Sequence, residues 1–288
     1  MKLSVVIACY NEEGTLGGQL EALAGQEWSE PWEVVFVDNR STDNSRAIAE
    51  QFRDRLPNLR IVDASEKQGK SFALNKGIRA SASELIAFVD ADDQVAPGWL
   101  PAVGEALKKH ELIATRTDCE TLNNENIRRY RGDLQLNGLL TIHYPPYLPH
   151  ASGGTIGITR ALHDKIGGFD ESLRCLEDTD YLWRAQLAGA TLHYVPEAVL
   201  RVRFRTTLKG IYRQYRAYAE HNVLLSKRYR DYGDPMPQPW RKYLRRWMYL
   251  LRNIKKLRRA PYRAKWVGKL AWAVGVTRGV IKYRVPPM

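Results

Sequence analysis

LIAFVDADD, Leu85 to Asp93, starts as an unbroken apolar run and ends with three carboxylates inside four residues, Asp90, Asp92 and Asp93. An apolar run of this length, rich in residues that suit a pleated surface, reads as a strand buried on both faces, the kind a parallel sheet requires. Three like charges a few Å apart cost free energy unless a cation is shared among them or protons are taken up. The stretch therefore predicts a buried strand whose carboxyl end is a site for something positive.

The same pattern repeats upstream. LSVVIACY (Leu3 to Tyr10) is a β-branched apolar run followed by Leu16, Leu20 and Leu23 at helical spacing. WEVVFVD (Trp32 to Asp38) reads as a second strand, and STDNSRAIAEQF opens with residues suited to a helix N-cap. LRIVD (Leu59 to Asp63) is a third strand, KSFALNKGI (Lys70 to Ile78) a short helix, and LIAFVD the fourth strand. Strands alternating with helices imply a mostly parallel sheet covered on both faces. Ligands in such sheets bind outside the carboxyl ends of the strands. Tyr10-Asn11-Glu12, Asp38-Asn39 and Asp90-Ala91-Asp92-Asp93 all fall there.

Composition bounds the rest. A chain of 288 residues suits one large domain or a domain with an appendage, and 44% apolar with 26% charged residues exclude wholesale disorder. Three cysteines, Cys9, Cys119 and Cys175, form no CxxC pair, which argues for a reducing compartment and against a disulfide framework or zinc site. The apolar part of MKLSVVIACYNEE is too short for a signal-peptide core, and no run of 18 apolar residues predicts a transmembrane helix. Residues 1–200 hold 20 Lys and Arg against 29 Asp and Glu, net −9, whereas residues 201–288 hold 24 against 3, net +21. An acidic body thus precedes a strongly basic tail, and DYGDPMPQP (Asp231 to Pro239) is linker-like.

Five motifs in order, ACYNEE, VDNRSTDNS, GKSFALNKGI, FVDADD and GGFDESLRCLEDTDYLWR, resemble glycosyltransferase family 2 over Leu3 to Arg205. The resemblance implies an α/β GT-A fold, a Rossmann-like, mostly parallel sheet flanked by helices, and inverting sugar transfer from a nucleotide-diphosphate donor. It puts Asp38 on the nucleobase, where a carboxylate accepts the imide N–H of uracil, and Ala8, Tyr10 and Glu12 around base and ribose. Asp90 falls near the ribose and Asp92 on a divalent cation, with Asp90 and Asp93 as further ligand candidates. Hard oxygen ligands suit Mg²⁺ or Mn²⁺. Asp178 takes the place of the general base, and Glu177 that of a residue orienting acceptor or base. Gly153 and Gly154 fall where a glycine-rich turn lies under the donor sugar. Lys70 has two readings, a contact to base or phosphate and a solvated lysine.

Several residues read otherwise. EKQGKS contains the GKS of a phosphate loop, but Ala64 stands where its first glycine would be, so that reading fails. Asp180 reads as helix capping, Gly167-Gly168-Phe169-Asp170 as a tight turn, and no histidine is assigned a role. Where relatives carry a histidine after the following strand, this chain has Arg201, Arg203 and Arg205. Arginine does not ligate metals, but Arg203 is placed to pair with phosphate. The absence of a QxxRW motif favours transfer of a single sugar over polymerisation.

From Trp240 onward apolar residues fall at 240, 243, 244, 247, 248, 251, 254 and 257, with cations between them, and four of the eight Trp lie between 240 and 272. Such a helix either binds an anionic membrane surface or packs on the catalytic body with its basic side solvated. No nucleic-acid recognition fold accompanies the charge. The expected organisation is a catalytic domain over 1–205, with a nucleotide half (1–93) and an acceptor half (94–205), then a basic helical extension over 206–288. The expected function is transfer of one sugar, from a UDP-sugar foremost, to a hydroxyl of a glycan or lipid-linked acceptor in cell-surface polysaccharide or lipopolysaccharide synthesis. That places the protein peripherally on the cytoplasmic face of the plasma membrane. The alternative is a non-catalytic nucleotide- or polyanion-binding protein that works through its tail.

Overall fold

A computed structural model describes residues 2–56, 58–125, 127–128, 134–234 and 239–287. Pro235–Gln238, within the linker-like stretch, lie outside the described residues. The first half follows the predicted alternation: β1 (Leu3–Cys9), α1 (Leu16–Ala24), β2 (Trp32–Asp38), α2 (Ser45–Glu50), β3 (Arg60–Asp63), α3 (Lys70–Ala80) and β4 (Leu85–Phe88). Then come β5 (Gln94–Val95), α4 (Trp99–Leu107), β6 (Leu112–Asp118), β7 (Ile156–Thr159), α5 (Arg160–Lys165), α6 (Glu177–Leu187) and β8 (His193–Arg201).

The strands form one sheet in the order β3-β2-β1-β4-β7-β6-β8-β5. β3, β2, β1 and β4 run parallel, β7 runs antiparallel to both its neighbours, β6 and β8 are parallel, and β5 closes the row antiparallel. Alternate residues of β1 point to opposite faces, as the pleat demands. Val5 and Ile7 join Leu16, Leu20, Phe36, Trp99 and Val103 on one face. Val6 joins Val35, Leu74, Ile78, Phe88, Tyr181 and Leu182 on the other. Gly77 lets α3 lie close to the sheet, since a Cβ there would meet Val6 and Val37 side chains at 2.6 and 2.7 Å.

β4 stops at Phe88, two residues short of the expected Asp90, because the chain must leave the sheet to reach β5 four ladder steps away. Four steps span roughly 19 Å, about the full reach of six extended residues. The connecting chain instead turns back on itself, with the Asp93 N–H donating to the Asp90 carbonyl at 3.3 Å. The sheet must therefore curl, and the three carboxylates sit on the short bridge across its concave end.

Two compact units are present. One comprises Met1–Thr121, Asp133–Leu140 and His150–Arg203, the other Leu122–Gly132, Thr141–Pro149 and Phe204–Met288. The second unit therefore includes two stretches from the middle of the chain as well as the basic tail. Its long helices among the described residues are α7 (Leu208–Arg228), α8 (Pro239–Arg252) and α9 (Ala260–Tyr283). α7 and α9 pack backbone to backbone: a Cβ on Gly275 would stand 2.3 Å from the Arg216 carbonyl oxygen, and one on Gly279 2.7 Å from Val223 Cβ. Glu220 of α7 accepts from Arg278 at 3.2 Å and Lys282 at 2.8 Å. α8 is tied to α9 by Tyr243 Oη with Thr277 Oγ1 at 2.9 Å and by the Trp266 indole N–H donating to the Leu250 carbonyl at 3.3 Å. The predicted apolar stripe divides: Tyr243, Trp247 and Leu257 are half-buried, whereas Trp240, Leu244, Met248, Leu251 and Ile254 stand exposed. Among the described residues no helix is long and apolar enough to cross a membrane.

Candidate active site

The loops after β1 and β2 are laced together. Asn11 accepts from the Thr42 N–H at 2.7 Å and donates its own N–H to Ser41 Oγ at 3.1 Å. Glu13 accepts from the Asn44 N–H at 3.0 Å, and Asp43 accepts from the Glu13 N–H at 3.0 Å. This lacing shapes the rim in which Ala8, Tyr10 and Glu12 sit. The Tyr10 ring is 48% exposed and free to stack, and the Glu12 carboxylate is oriented by the Thr15 hydroxyl at 2.9 Å. Asp38 ends β2 nearly buried, with Oδ1 accepting from the Ser41 N–H at 3.0 Å.

Asn39 has a task that its sequence context did not disclose. Its amide donates to the carbonyls of Ala64 (2.7 Å) and Lys67 (2.8 Å), and its Oδ1 accepts from the Gly69 N–H at 2.8 Å. The loop entering α3 is thereby pinned to the end of β2, which sets the position of Lys70 at the start of the helix. Farther along α3, Asn75 accepts from the Phe169 N–H and donates to the Phe169 carbonyl, both at 2.9 Å. Gly168 in that turn has φ +73°, and a Cβ there would stand 2.9 Å from Asn75 Oδ1. The tight turn expected at Gly167-Gly168 is thus a clasp on α3.

Lys70 reaches the centre of the site. Its ammonium is ion-paired with Asp90 and lies 3.9 Å from Glu177. Burial alone would depress the Lys70 ammonium, but Asp90, Glu177 and Asp178 together hold it above the ordinary lysine range. Neither sequence reading, ligand contact nor free solvation, foresaw this pairing. Gly153 and Gly154 form a single 3₁₀ turn at the same centre. A Cβ on Gly154 would stand 3.1 Å from the Asp90 backbone nitrogen, and one on Gly153 3.3 Å from Asp178 Oδ2 and 3.4 Å from Lys70 Nζ. A side chain at either position would press on the acidic bridge or on Asp178 and Lys70, so glycines let this turn lie close between the bridge and the start of α6.

Oxygens of Asp90, Asp92 and Asp93 lie within 4.8 Å of one another, the one such metal-competent group among the described residues. Three hard carboxylate oxygens in that space fit Mg²⁺ or Mn²⁺ and do not fit a soft-metal site. Asp93 is buried, and that burial, followed by the charges of Asp92 and Asp90, raises its carboxyl well above the usual range. Arg203 enters as a brace. Its N–H donates to Asp93 Oδ1 at 2.8 Å and its Nε to the Asp92 carbonyl at 3.1 Å. The guanidinium thus begins on the protein backbone beside the cluster.

α6 opens on strained backbone. Leu176, with a side chain and φ +58°, precedes it, and such residues persist where their surroundings over-determine them. That kink presents Glu177 and Asp178 to the two-glycine turn. Asp178 Oδ1 accepts from the Thr179 N–H at 2.6 Å, while Oδ2 faces Gly153. His150, which the sequence left without a role, approaches the same residues: its Nδ1 lies 3.5 Å from Thr179 Oγ1, and Asp178 opposes the lowering of its pKa by burial. Asp180 is fully buried and paired with Arg184 at 2.8 Å, whose guanidinium also donates to the Ile166 and Gly168 carbonyls. It is structural, as expected, but as the foot of a clamp more than as a cap.

Glu177 is only 8% exposed; burial first, then Asp178, pushes its pKa up from 4.5 to about 7, with Lys70 opposing. The folded state therefore holds a proton that the unfolded chain gives up between pH 4.5 and 7, so this residue lowers stability as pH rises through that window. Glu177→Gln is expected to stabilise the protein by about 1–3 kcal/mol at pH 8 and to change little at pH 4.5, the size following from the shift less the lost Lys70 contact. Urea unfolding at the two pH values in EDTA measures this; equal effects at both would show that Glu177 titrates normally.

Residues 4–167 match the family model described as glycosyl transferase family 2. The chain is 38% identical over 96 residues to the uncharacterized glycosyltransferase YibD of Escherichia coli K12, covering 33% of this chain and 27% of that one. It is 25% identical over 240 residues to the poly-β-1,6-N-acetyl-D-glucosamine synthase of Staphylococcus epidermidis, covering 77% of this chain and 55% of the other. The chain thus spans about half or less of the length of these curated relatives. Among solved structures, the mannosyltransferase PcManGT of Pyrobaculum calidifontis, in complex with GDP-Man and Mn²⁺, superposes over 98% of this chain and 87% of its own, with a TM-score of 0.68 and 18% identity. TarS 1–349 of S. aureus, in complex with UDP-GlcNAc, superposes over 99% and 92% with a TM-score of 0.55 and 19% identity. At these identities the superpositions speak for a shared GT-A fold.

Proposed function

Because the chain belongs to glycosyl transferase family 2, we propose that it transfers a single sugar, with inversion, from a nucleoside-diphosphate sugar to a hydroxyl of a glycan or lipid-linked acceptor. The observation that carries this reading is the Gly153-Gly154 turn, with Asp178 against one glycine and Asp90 against the other. A sugar lying on that turn would have a carboxylate base on one side and the diphosphate-facing acids on the other, the geometry of a single in-line displacement.

Asp38 selects the base and Tyr10 stacks on it, with UDP the leading donor. Asp90 and Asp92, backed by Asp93, would hold the divalent cation. When bound, that cation neutralises charge on the departing diphosphate. Lys70 carries a second positive charge to the same place, and Arg203 holds the acidic bridge in shape. Asp178 accepts the acceptor hydroxyl's proton on Oδ2, since Oδ1 is engaged by Thr179. Glu177 orients the acceptor side.

A thermal-shift panel of nucleotide sugars with and without Mn²⁺ or Mg²⁺ tests the reading, because a ligand that binds only the folded state raises the melting temperature. A metal-dependent rise with a UDP-sugar is expected. No rise with any nucleotide sugar would overturn the donor assignment and favour a polyanion-binding protein.

A seat on the cytoplasmic face of the plasma membrane belongs to the same proposal. Trp240, Leu244, Met248, Leu251 and Ile254, between 43% and 70% exposed, form an apolar row along α8 and the turn after it, flanked by cations. Such a row lies in the plane of an anionic interface. Flotation with anionic but not neutral liposomes is expected, and Leu244→Glu/Leu251→Glu should abolish it; undiminished flotation of that variant would remove α8 from the membrane.

A further inference from the structure

The second unit contains a cavity of about 590 Å³ between α7, α8 and α9. Lys242, Arg245 and Arg246 line it from α8, Lys265 and Lys269 from α9, and no carboxylate lines it. Arg246 is half-buried and the other four stand exposed around the opening, so the cavity concentrates positive charge that attracts an anion. The nearby acid in this unit, Glu220, is already committed to Arg278 and Lys282. Among the described residues none of the five cations is paired with a carboxylate; Lys269 instead lies 4.6 Å over the Tyr249 ring. One guanidinium nitrogen, Arg246 Nη1, is buried without a hydrogen-bond partner. Such a donor is met by a water, an ion or a ligand group in the space it faces.

The walls between the charges are flat and apolar, supplied by Tyr215, Tyr249 and Trp272. We infer that this cavity is a binding site for the terminal phosphate or pyrophosphate group of a ligand whose remainder is apolar or ring-shaped. The site is built wholly from the second unit and stands independently of the donor site. Arginine forks and lysine ammoniums together match a tetrahedral, doubly charged oxyanion better than a single carboxylate. The cavity also falls in the size range of small-molecule sites, several times what phosphate alone needs, so it accommodates the body to which the group is attached.

The test uses the full chain in EDTA, which removes any metal that would draw pyrophosphate to Asp90 and Asp92. Two probes are titrated: inorganic pyrophosphate by calorimetry, and phosphatidylcholine vesicles carrying either phosphatidic acid or phosphatidylserine at matched surface charge. The pocket variant is Arg246→Gln/Lys269→Gln. The control is Lys255→Gln/Arg258→Gln, which removes the same charge from exposed positions of the same unit. Lys242→Gln/Lys265→Gln serves as a second pocket variant should the first melt early.

The pocket variants are expected to bind at least about 10-fold more weakly, the loss of one or two charge-assisted hydrogen bonds, with the control within about twofold of wild type. Pyrophosphate binding that the pocket variants lose identifies a soluble phosphorylated ligand. A preference for phosphatidic acid over phosphatidylserine, lost in the same variants, identifies a lipid phosphate. Equal losses in pocket and control variants, or a wild type that neither binds pyrophosphate nor prefers the terminal phosphate, would overturn the assignment. A failed nucleotide-sugar shift would leave this result untouched, since the two sites share no residue.

Discussion

Asp178→Asn is expected to lower kcat by about 10²–10⁴-fold, the usual contribution of a general base, while donor affinity stays within about threefold of wild type. Asparagine keeps the shape of the side chain and an oxygen for the Thr179 N–H, which Asp178 Oδ1 accepts at 2.6 Å. It also keeps the contact with Gly153, so the turn between the two halves of the site is undisturbed. What it loses is the ability to take a proton. The discriminating readout is the pH profile of kcat: the wild type should show an acid limb that the variant lacks, whereas a residue that merely positioned the acceptor would lower the profile without changing its form. A loss below about tenfold would transfer the proton to another group, and His150, 3.5 Å from Thr179 Oγ1, would be the next to test.

The second large effect is expected at the acidic bridge. Asp92→Ala should abolish the metal-dependent part of the nucleotide-sugar thermal shift and lower kcat/KM by about 10³-fold or more, as removal of a metal ligand commonly does. The ligand-free melting temperature should hold or rise slightly. Asp92 is a principal charge holding the buried Asp93 carboxyl above its usual range, so its removal relieves a like-charge repulsion. Asp93 remains fastened by the Arg203 N–H at 2.8 Å, which keeps the bridge in place for the comparison. A variant that retains the full metal-dependent shift would show that Asp90 and Asp93 hold the ion without it.

Much of this arrangement is legible in the sequence. Apolar runs ending in Asp or Asn locate the first strands, and the rule that ligands bind at strand ends collects Tyr10, Asp38 and Asp90 at one edge. Asp178 and the two glycines follow from their motifs, and the fold gathers them around a common centre. What the sequence did not yield are bonds between side chains and distant backbone. Asn39 holds a loop 25 to 30 residues away, Asn75 clasps a turn 94 residues away, and Arg203 braces the acidic bridge from 110 residues away. Polar residues of this kind look in sequence like any turn or helix residue, because nothing local selects them. Leu176 is hidden for the opposite reason: a leucine gives no hint of positive φ, and only the packing that over-determines it does. The amphipathic stripe of the tail was visible, but periodicity does not say which half of an apolar face the protein covers.

The backbone contact between α7 and α9 has a consequence for how the second unit comes apart. Gly275 and Gly279 seat the two helices so closely that they would separate only together, whereas α8 is fastened through a few side-chain bonds at its margin. Local opening free energies within one unit follow such differences. α8 then forms the early-opening layer, with amides that exchange with solvent before those of the pair beneath it, and whatever fills the cavity is recorded first as slowed exchange along that helix.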